Sequence, residues 1–130
     1  MTKVQRDSVV AVCVRALPNE GCGLLVGTPQ GVVHEVIPSD NVANSARLYE
    51  IDPLTMLRTS RRAELNEMEI IGVFHSHTHS DAYPSETDIR QAPDPAWHYV
   101  LVSLRVVPTV LRSYRVLDST VDEEPIVLSA

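Results

Sequence analysis

The stretch from Glu69 to Asp88, EIIGVFHSHTHSDAYPSETD, joins an apolar run to a histidine-rich polar segment. The run is apolar up to Phe74 and then turns polar abruptly, which predicts a buried strand that ends at a loop. Binding and catalytic side chains commonly lie where a rigid element meets a loop. Because alternate residues of a strand point to one face, about 6–7 Å apart along the chain, His75 and His77 project together.

A metal site that begins with these two histidines needs a third ligand, and Asp88 can supply it. The spacing Ser85-x-x-Asp88 resembles a capping box, which predicts that Asp88 lies in the first turn of a helix. Two histidines and one carboxylate, with a fourth position open to water, form the ligand set of a catalytic zinc centre. Such a centre needs a general base, which must come from another element. The same donors also suit iron or cobalt.

The rest of the sequence predicts one mixed α/β domain that covers residues 1–130, a length that suits a single core. Helices are predicted at 7–17 with Asp7 as the N-cap, from Asp52-Pro53 onward, and over SETDIRQA (85–92). A long polar loop is predicted at 39–51. The predicted strands are GCGLLVG (21–27), GVVHEVIP (31–38), EIIGVFHSH (69–77), WHYVLVSL (97–104), VLRSYRVL (110–117) and VDEEPIVL (121–128). Neighbouring strands in sequence favour a mainly antiparallel or mixed sheet flanked by helices.

Composition excludes several classes of protein. The net charge is -6 and no basic cluster exceeds Arg61-Arg62, which argues against a nucleic-acid partner. No apolar run approaches the ~20 residues that span a bilayer, and the N-terminus lacks the pattern of a signal peptide. The two cysteines, Cys13 and Cys22, are too few for a disulfide framework and read as buried packing residues. A cytoplasmic protein without a membrane partner is therefore expected.

The spacing of the polar residues resembles that of the JAMM (MPN+, Mov34-like) zinc metallopeptidases. Their pattern is His-x-His, seven residues, Ser, two residues and Asp, and the segment from His75 to Asp88 matches it without a gap. Upstream, NEGCGLLVG (19–27) resembles the family's Glu-x-Cys-Gly-Leu-Leu-x-Gly strand, with Glu20 at the acid position. The resemblance covers about Leu17 to Asp88. It implies a three-layer α+β fold like that of the cytidine deaminases, with a mixed sheet flanked by helices.

The same resemblance implies a role for each matched position. His75, His77 and Asp88 would ligate one zinc ion. Glu20 would act as general base and acid. Ser85 would donate a hydrogen bond to the developing oxyanion, an interaction worth about 2.7–4 kcal/mol in hydrolases. A plain N-cap would also explain Ser85.

Other residues of the cluster have plainer explanations. His79 and Asp81 lie inside the seven-residue spacer, where the family pattern requires nothing, so both are expected on the loop surface. Surface histidines in general would also explain His75 and His77, but not the four-part spacing.

Further segments, DAYPSETD, HYVLVS, LRSYRV and EEPI, resemble small bacterial members of the family that act on sulfur-carrier proteins. That resemblance implies hydrolysis after the C-terminal Gly-Gly of a ubiquitin-like (β-grasp) carrier, with release of cysteine in cysteine biosynthesis. The alternatives are trimming or deconjugation of another ubiquitin-like protein, or a metal-free binding scaffold. A homodimer is left open.

The carrier's tail is expected beside a sheet edge, as in strand addition. The segments 39–50 and 78–84 are expected to form its walls.

Overall fold

Six strands form one mixed sheet in the computed structural model, which describes residues 1–130. The strands are β1 (Cys22–Gly27), β2 (Val33–Ser39), β3 (Glu69–His77), β4 (His98–Ser103), β5 (Val110–Leu117) and β6 (Thr120–Glu124), and the helices are α1 (Lys3–Ala16), α2 (Pro53–Leu65) and α3 (Glu86–Arg90). The order across the sheet is β2-β1-β3-β4-β5-β6. Only β3 and β4 run parallel, with α3 in the connection between them, and the other pairs are antiparallel. The predicted mixed sheet with flanking helices is confirmed.

β3 is an interior strand, bonded to β1 on one side and β4 on the other. The free edges of the sheet belong to β2 and β6. The predicted strand addition at a sheet edge therefore cannot use β3 itself. A peptide that reaches the end of β3 would have to pair with the loops around it.

The first helix begins earlier than predicted. Thr2, not Asp7, is its N-cap, because the Thr2 hydroxyl accepts from the Gln5 amide at 3.1 Å. The Gln5 side chain in turn accepts from the Thr2 amide at 2.8 Å, which completes a capping box. The helix ends at Ala16, shortly before Pro18, as predicted.

Three other boundaries can be compared with the prediction: the start of α2, the end of α3 and the end of β6. α2 begins after Asp52, whose carboxylate accepts from the Leu54 amide, as predicted. α3 ends at Arg90, somewhat before the predicted end. The last strand stops at Glu124 rather than at residue 128, because Pro125 has no amide to donate to a neighbouring strand.

The sheet packs different residues on its two faces. Phe74 packs with Val9 and Cys13 of α1 on one face. Val73 packs with Tyr49 and Ile89 on the other face. Because side chains alternate along a strand, His75 and His77 follow Val73 onto the face that α3 covers.

A glycine at the start of β1 lets α1 approach this end of the sheet. A Cβ atom on Gly21 would lie 2.6 Å from the Cys13 Cα atom of α1, closer than real Cβ contacts.

None of the three helices combines the length and apolar character that a membrane-spanning helix requires.

Candidate metal centre

Three predicted ligands converge at the end of β3. The Nε2 atoms of His75 and His77 lie 3.1 Å and 3.0 Å from one carboxylate oxygen, Oδ2 of Asp88. One donor atom from each of the three residues lies within 4.8 Å of the others. Both histidines are buried, and Asp88 is half-buried. The structure therefore brings together the three side chains that the spacing singled out.

The orientation of His77 indicates that a cation fits among these donors. Its Nδ1 atom lies 2.8 Å from the backbone carbonyl of Asp81. Because a carbonyl can only accept, Nδ1 carries the proton and Nε2 of the neutral ring presents a lone pair. That lone pair faces the carboxylate of Asp88, so two acceptors lie 3.0 Å apart unless a proton or a metal ion lies between them. Two imidazoles and one carboxylate form a donor set that zinc accepts.

His75 makes no hydrogen bond through Nδ1, and its ring is oriented by an aromatic neighbour instead. Its ring stacks on that of Tyr49, with ring centroids 4.0 Å apart and planes 17° from parallel. Tyr49 comes from the loop between β2 and α2. The sequence offers no signal for this contact, because a tyrosine in a polar loop has no spacing relation to the histidines.

Asp88 combines a place in the candidate donor set with helix capping. The Ser85 hydroxyl accepts from the Asp88 amide at 3.1 Å, and Asp88 Oδ2 accepts from the Ser85 amide at 2.9 Å. The predicted capping box is thereby confirmed. Burial alone would raise the pKa of Asp88, but hydrogen bonds from His75 and His77 hold it well below its usual range. The carboxylate is therefore ionised in the folded chain.

The pKa values of the two histidines shift in opposite directions in the metal-free chain. Burial lowers the pKa of His75 below its ordinary value. Burial opposes protonation of His77 as well, yet its bonds to the Asp88 carboxylate and the Asp81 carbonyl raise its pKa. Without a metal, a proton on His77 fills the position between the acceptors.

Glu20 reaches the site from the segment just before β1. Cys22 pairs with His75 in the β1–β3 register, and the Ser76 amide donates to the Gly21 carbonyl at 3.0 Å. The same register carried one residue further brings Glu20 opposite His77. Cross-strand partners of this kind have side chains on the same face.

The backbone of Glu20 is fixed by the loop between β2 and α2. The Glu20 amide donates to the Ser45 carbonyl at 2.8 Å, and its own carbonyl accepts from the Asn41 side chain at 3.0 Å. The side chain is 3% exposed, and its Oε1 atom is buried without a hydrogen-bond partner. Burial, reinforced by the negative charge of Asp88 and opposed by His77, raises the pKa of Glu20 to about 8. This buried acid without a hydrogen-bond partner interacts electrostatically with His77 and Asp88, two of the three donors.

In the spacer, the side chains of His79 and Asp81 lie outside the donor set, but one backbone carbonyl contacts it, which the sequence does not reveal. His79 is exposed, lies outside the donor set, and has its Nδ1 atom 2.8 Å from the Thr78 hydroxyl. The Asp81 carboxylate is also exposed and pairs with Arg105 at 3.0 Å. The expectation of a plain loop residue holds for the Asp81 side chain but is wrong for its backbone carbonyl, which orients His77.

Neither cysteine has the character of a nucleophile. Burial raises the pKa of Cys13 and of Cys22 to about 12, so both remain neutral thiols. Both are buried, as predicted.

The chain is similar to a known protein family and to several named proteins. Residues 2–117 match the Prok-JAB family, described as prokaryotic homologs of the JAB domain. The CysO-cysteine peptidase of Mycobacterium tuberculosis is 40% identical over 123 residues, 92% of this chain and 84% of that protein. The probable TtuB-protein conjugate cleaving protease of Thermus thermophilus is 36% identical over 80 residues, 61% of this chain and 53% of that protein.

Solved structures share the fold. A Desulfitobacterium hafniense protein, known from a solution structure, has a TM-score of 0.90 at 36% identity and is matched over 98% of this chain and 90% of that one. A JAB1/MPN domain protein from Archaeoglobus fulgidus has a TM-score of 0.63 at 18% identity, over 100% of both chains. The predicted fold class is thus confirmed. With its peptidase relatives and its family match over most of its length, the chain belongs to the prokaryotic homologs of the JAB domain and is a hydrolase of the JAMM type.

Proposed function

We propose that this chain, as one domain over 1–130, is a zinc-dependent peptidase that cleaves after the C-terminal Gly-Gly of a ubiquitin-like sulfur-carrier protein and releases cysteine. The observation that carries the proposal is the convergence of His75, His77 and Asp88 beside the buried, unpartnered carboxylate of Glu20. The similarity to the CysO-cysteine peptidase of M. tuberculosis over 92% of the chain supports this substrate class.

Each residue of the site has a distinct task in the proposed reaction. His75, His77 and Asp88 hold one zinc ion, which when bound polarises the scissile carbonyl and lowers the pKa of water. Glu20 takes a proton from the attacking water and returns it to the leaving amine. The pKa of Glu20 is raised in the metal-free chain. A cation among the donors would lower this pKa, because a nearby positive charge favours the ionised carboxylate.

Ser85 serves as both helix cap and oxyanion donor in this proposal. Its oxygen accepts the Asp88 amide, which leaves the hydroxyl proton free to donate elsewhere. Ser85 is exposed, so a substrate carbonyl can approach it. The two explanations that compete for this serine in the sequence are compatible in the folded chain.

The carrier's tail would reach the site between the two loops named above. Thr78 of the segment 78–84 donates to the Ala46 carbonyl of the loop 39–50 at 3.2 Å, so the two loops meet beside the donors. Because β3 is bonded on both sides, the tail would pair with the backbone of these loops rather than with the strand. Glycines at the end of the tail would fit such a narrow passage.

A polar cavity beside Glu20 supports a small charged leaving group. It has a volume of about 550 Å³ and lies between the ends of α1 and β2 and the start of α2. Arg15 and Asp40 are among its lining residues. The carboxylate and ammonium of an amino acid complement these two charges.

A second candidate function is removal of proteins conjugated to a ubiquitin-like modifier. The similarity to the TtuB-protein conjugate cleaving protease of T. thermophilus favours it, although only 61% of this chain is covered. A metal-free scaffold is the least supported alternative, since all three donors and Glu20 are retained. Zinc as the metal, the cytoplasmic location and the absence of a nucleic-acid partner remain predictions.

The test is to incubate the purified chain with a carrier–cysteine adduct, with and without a chelator, and to weigh the products. We expect free cysteine and a carrier that ends in Gly-Gly, and no reaction after chelation or with Glu20→Gln. A carrier joined to a lysine through an isopeptide bond serves as the parallel substrate. Faster cleavage of that conjugate would favour the second function, and absence of stoichiometric metal from carefully purified protein would refute both.

A further inference from the structure

The segment Ser80–Ala82 is held against the sheet by side chains of β4 and β5. The Ser103 hydroxyl donates to the Ser80 carbonyl at 2.7 Å. The Tyr114 hydroxyl donates to the Ala82 carbonyl at 2.5 Å. Between these two anchors lies Asp81, whose carbonyl is the partner of His77 Nδ1. The two hydroxyls therefore fix the peptides on both sides of the group that orients a metal ligand.

Both hydroxyl groups are buried, which indicates that their hydrogen bonds to this segment are part of the folded structure. Ser103 and Tyr114 are each 2% exposed. A buried hydroxyl costs free energy unless it is hydrogen-bonded, and here both hydroxyls bond carbonyls of the same short segment. Tyr114 also packs with Ala82 and Leu101. Its ring meets the ring of Tyr83 edge-on, with the ring centroids 5.5 Å apart. The exposed ion pair between Arg105 and Asp81 adds little by comparison.

We propose that Tyr114 is a positioning residue of the metal centre, acting through the backbone of Ser80–Ala82, with Ser103 as its companion. The inference rests on the proposed metal site. When the Tyr114 hydroxyl is present, the Asp81 carbonyl keeps the Nδ1 proton of His77 in place and points Nε2 at Asp88. Partners of this kind set the tautomer and the orientation of a histidine ligand. The pattern leaves no trace in the family spacing, because Tyr114 lies beyond its last residue.

Tyr99 offers a matched control for Tyr114. It is 5% exposed, lies on β4, and donates its hydroxyl to the Asp94 carbonyl at 2.7 Å. Its partner segment makes no recorded hydrogen bond to His75, His77 or Asp88. Tyr99→Phe removes a buried hydroxyl that donates to the Asp94 carbonyl and accepts from the Asp94 amide, and Tyr114→Phe removes one that donates to the Ala82 carbonyl. Only the second bears on a metal ligand.

The experiment measures metal affinity in wild type, Tyr114→Phe and Tyr99→Phe by competition for Zn²⁺ or Co²⁺ with a chromophoric chelator at constant pH. Loss of an outer partner of a histidine ligand typically weakens metal binding about 10–100-fold, so we expect about tenfold for Tyr114→Phe and less than about twofold for Tyr99→Phe. The free energy of unfolding in chelator should fall in both variants, because each loses hydrogen bonds of a buried hydroxyl. A merely structural role would lower both stabilities and leave the two affinities equal.

Equal metal affinities for the two tyrosine variants would overturn the inference while leaving the metal site intact. Failure of the wild type to bind metal would refute the proposed function and this inference with it. If Tyr114→Phe does not fold, Ser103→Ala and Ser113→Ala form a second matched pair. Ser113 is 4% exposed and donates to Glu124 at 2.7 Å, away from the donors. Ser103→Ala should weaken metal binding and Ser113→Ala should not. The reverse result would refute the role of the segment Ser80–Ala82.

Discussion

Glu20 and His77 interact electrostatically where the start of β1 meets the end of β3, although the two residues are far apart in the sequence. The register of Cys22 with His75, which the bond from the Ser76 amide to the Gly21 carbonyl extends, brings them together. The acid thus comes from the segment just before β1, the antiparallel neighbour of the strand that carries the two histidines. Because Glu20 is buried without a partner for Oε1, its carboxylate is ready for a substrate or solvent proton rather than for a structural bond.

Replacement of Glu20 by glutamine should abolish hydrolysis but keep the metal. The amide has nearly the same shape, yet it cannot take a proton from water, and general-base catalysis contributes typically about 10²–10⁴-fold. Single-turnover rates on a carrier–cysteine adduct, together with metal content per chain, would measure both effects. Glu64→Gln on the exposed face of α2 is a suitable control. Retention of activity in Glu20→Gln would exclude Glu20 as the base.

The raised pKa of Glu20 predicts how the stability of the metal-free chain depends on pH. The pKa is about 8 in the folded chain and 4.5 ordinarily, so between these values the folded state binds more protons than the unfolded state. The free energy of unfolding should therefore fall as pH rises across this window. Each pKa unit corresponds to about 1.4 kcal/mol, which gives a loss on the order of 4 kcal/mol by pH 8, where about half of the folded chains carry the ionised carboxylate.

Glu20→Gln isolates this contribution because the other titrating groups remain. In chelator, the difference in unfolding free energy between Glu20→Gln and wild type should grow in favour of the variant from pH 5 to pH 8. Urea titrations at several pH values would measure it. A difference that stays constant with pH would mean that Glu20 is not buried as an acid.

The stacking of Tyr49 on His75 predicts a modest effect on metal binding. An aromatic pair at this separation contributes about 0.5–1.5 kcal/mol, so Tyr49→Leu should weaken metal binding about two- to tenfold. Tyr49→Phe keeps the ring and should bind metal like the wild type. Chelator competition on the three proteins distinguishes them. Equal losses in the Leu and Phe variants would point to the hydroxyl instead of the ring.

The parts of the site that were predictable from sequence depend on local geometry. Alternation along β3 places His75 and His77 on one face, and the Ser-x-x-Asp spacing places Asp88 in the first turn of α3. Both rules act over a few residues, so no tertiary information is needed. The same kind of rule predicts the start of α1 wrongly, because it favours Asp7 as the N-cap. The Thr2–Gln5 capping box begins the helix about one turn earlier.

The parts that were not predictable depend on tertiary contacts or on the backbone. Tyr49 meets His75 only because the loop after β2 folds over the end of β3. The Asp81 group that matters is a carbonyl, and every residue type has one, so no side-chain pattern could identify it. Glu20 was assigned by family resemblance, whereas its burial and raised pKa follow from the register of two strands and from its anchoring by the loop residues Asn41 and Ser45.

Ser85 allows a test that separates helix capping from oxyanion stabilisation. Ser85→Asp retains an oxygen that caps α3 but has no proton to donate at neutral pH, while Ser85→Ala loses both functions. Ser85→Thr retains both and serves as the control. Loss of one oxyanion donor typically lowers kcat about 10²–10³-fold, so Ser85→Ala and Ser85→Asp should both be slow and Ser85→Thr should remain active. Thermal unfolding in chelator measures the cap separately, and there only Ser85→Ala should lose the roughly 1 kcal/mol typical of a missing N-cap. If Ser85→Asp instead kept the wild-type rate, the serine would serve α3 as a cap and the oxyanion would need another donor.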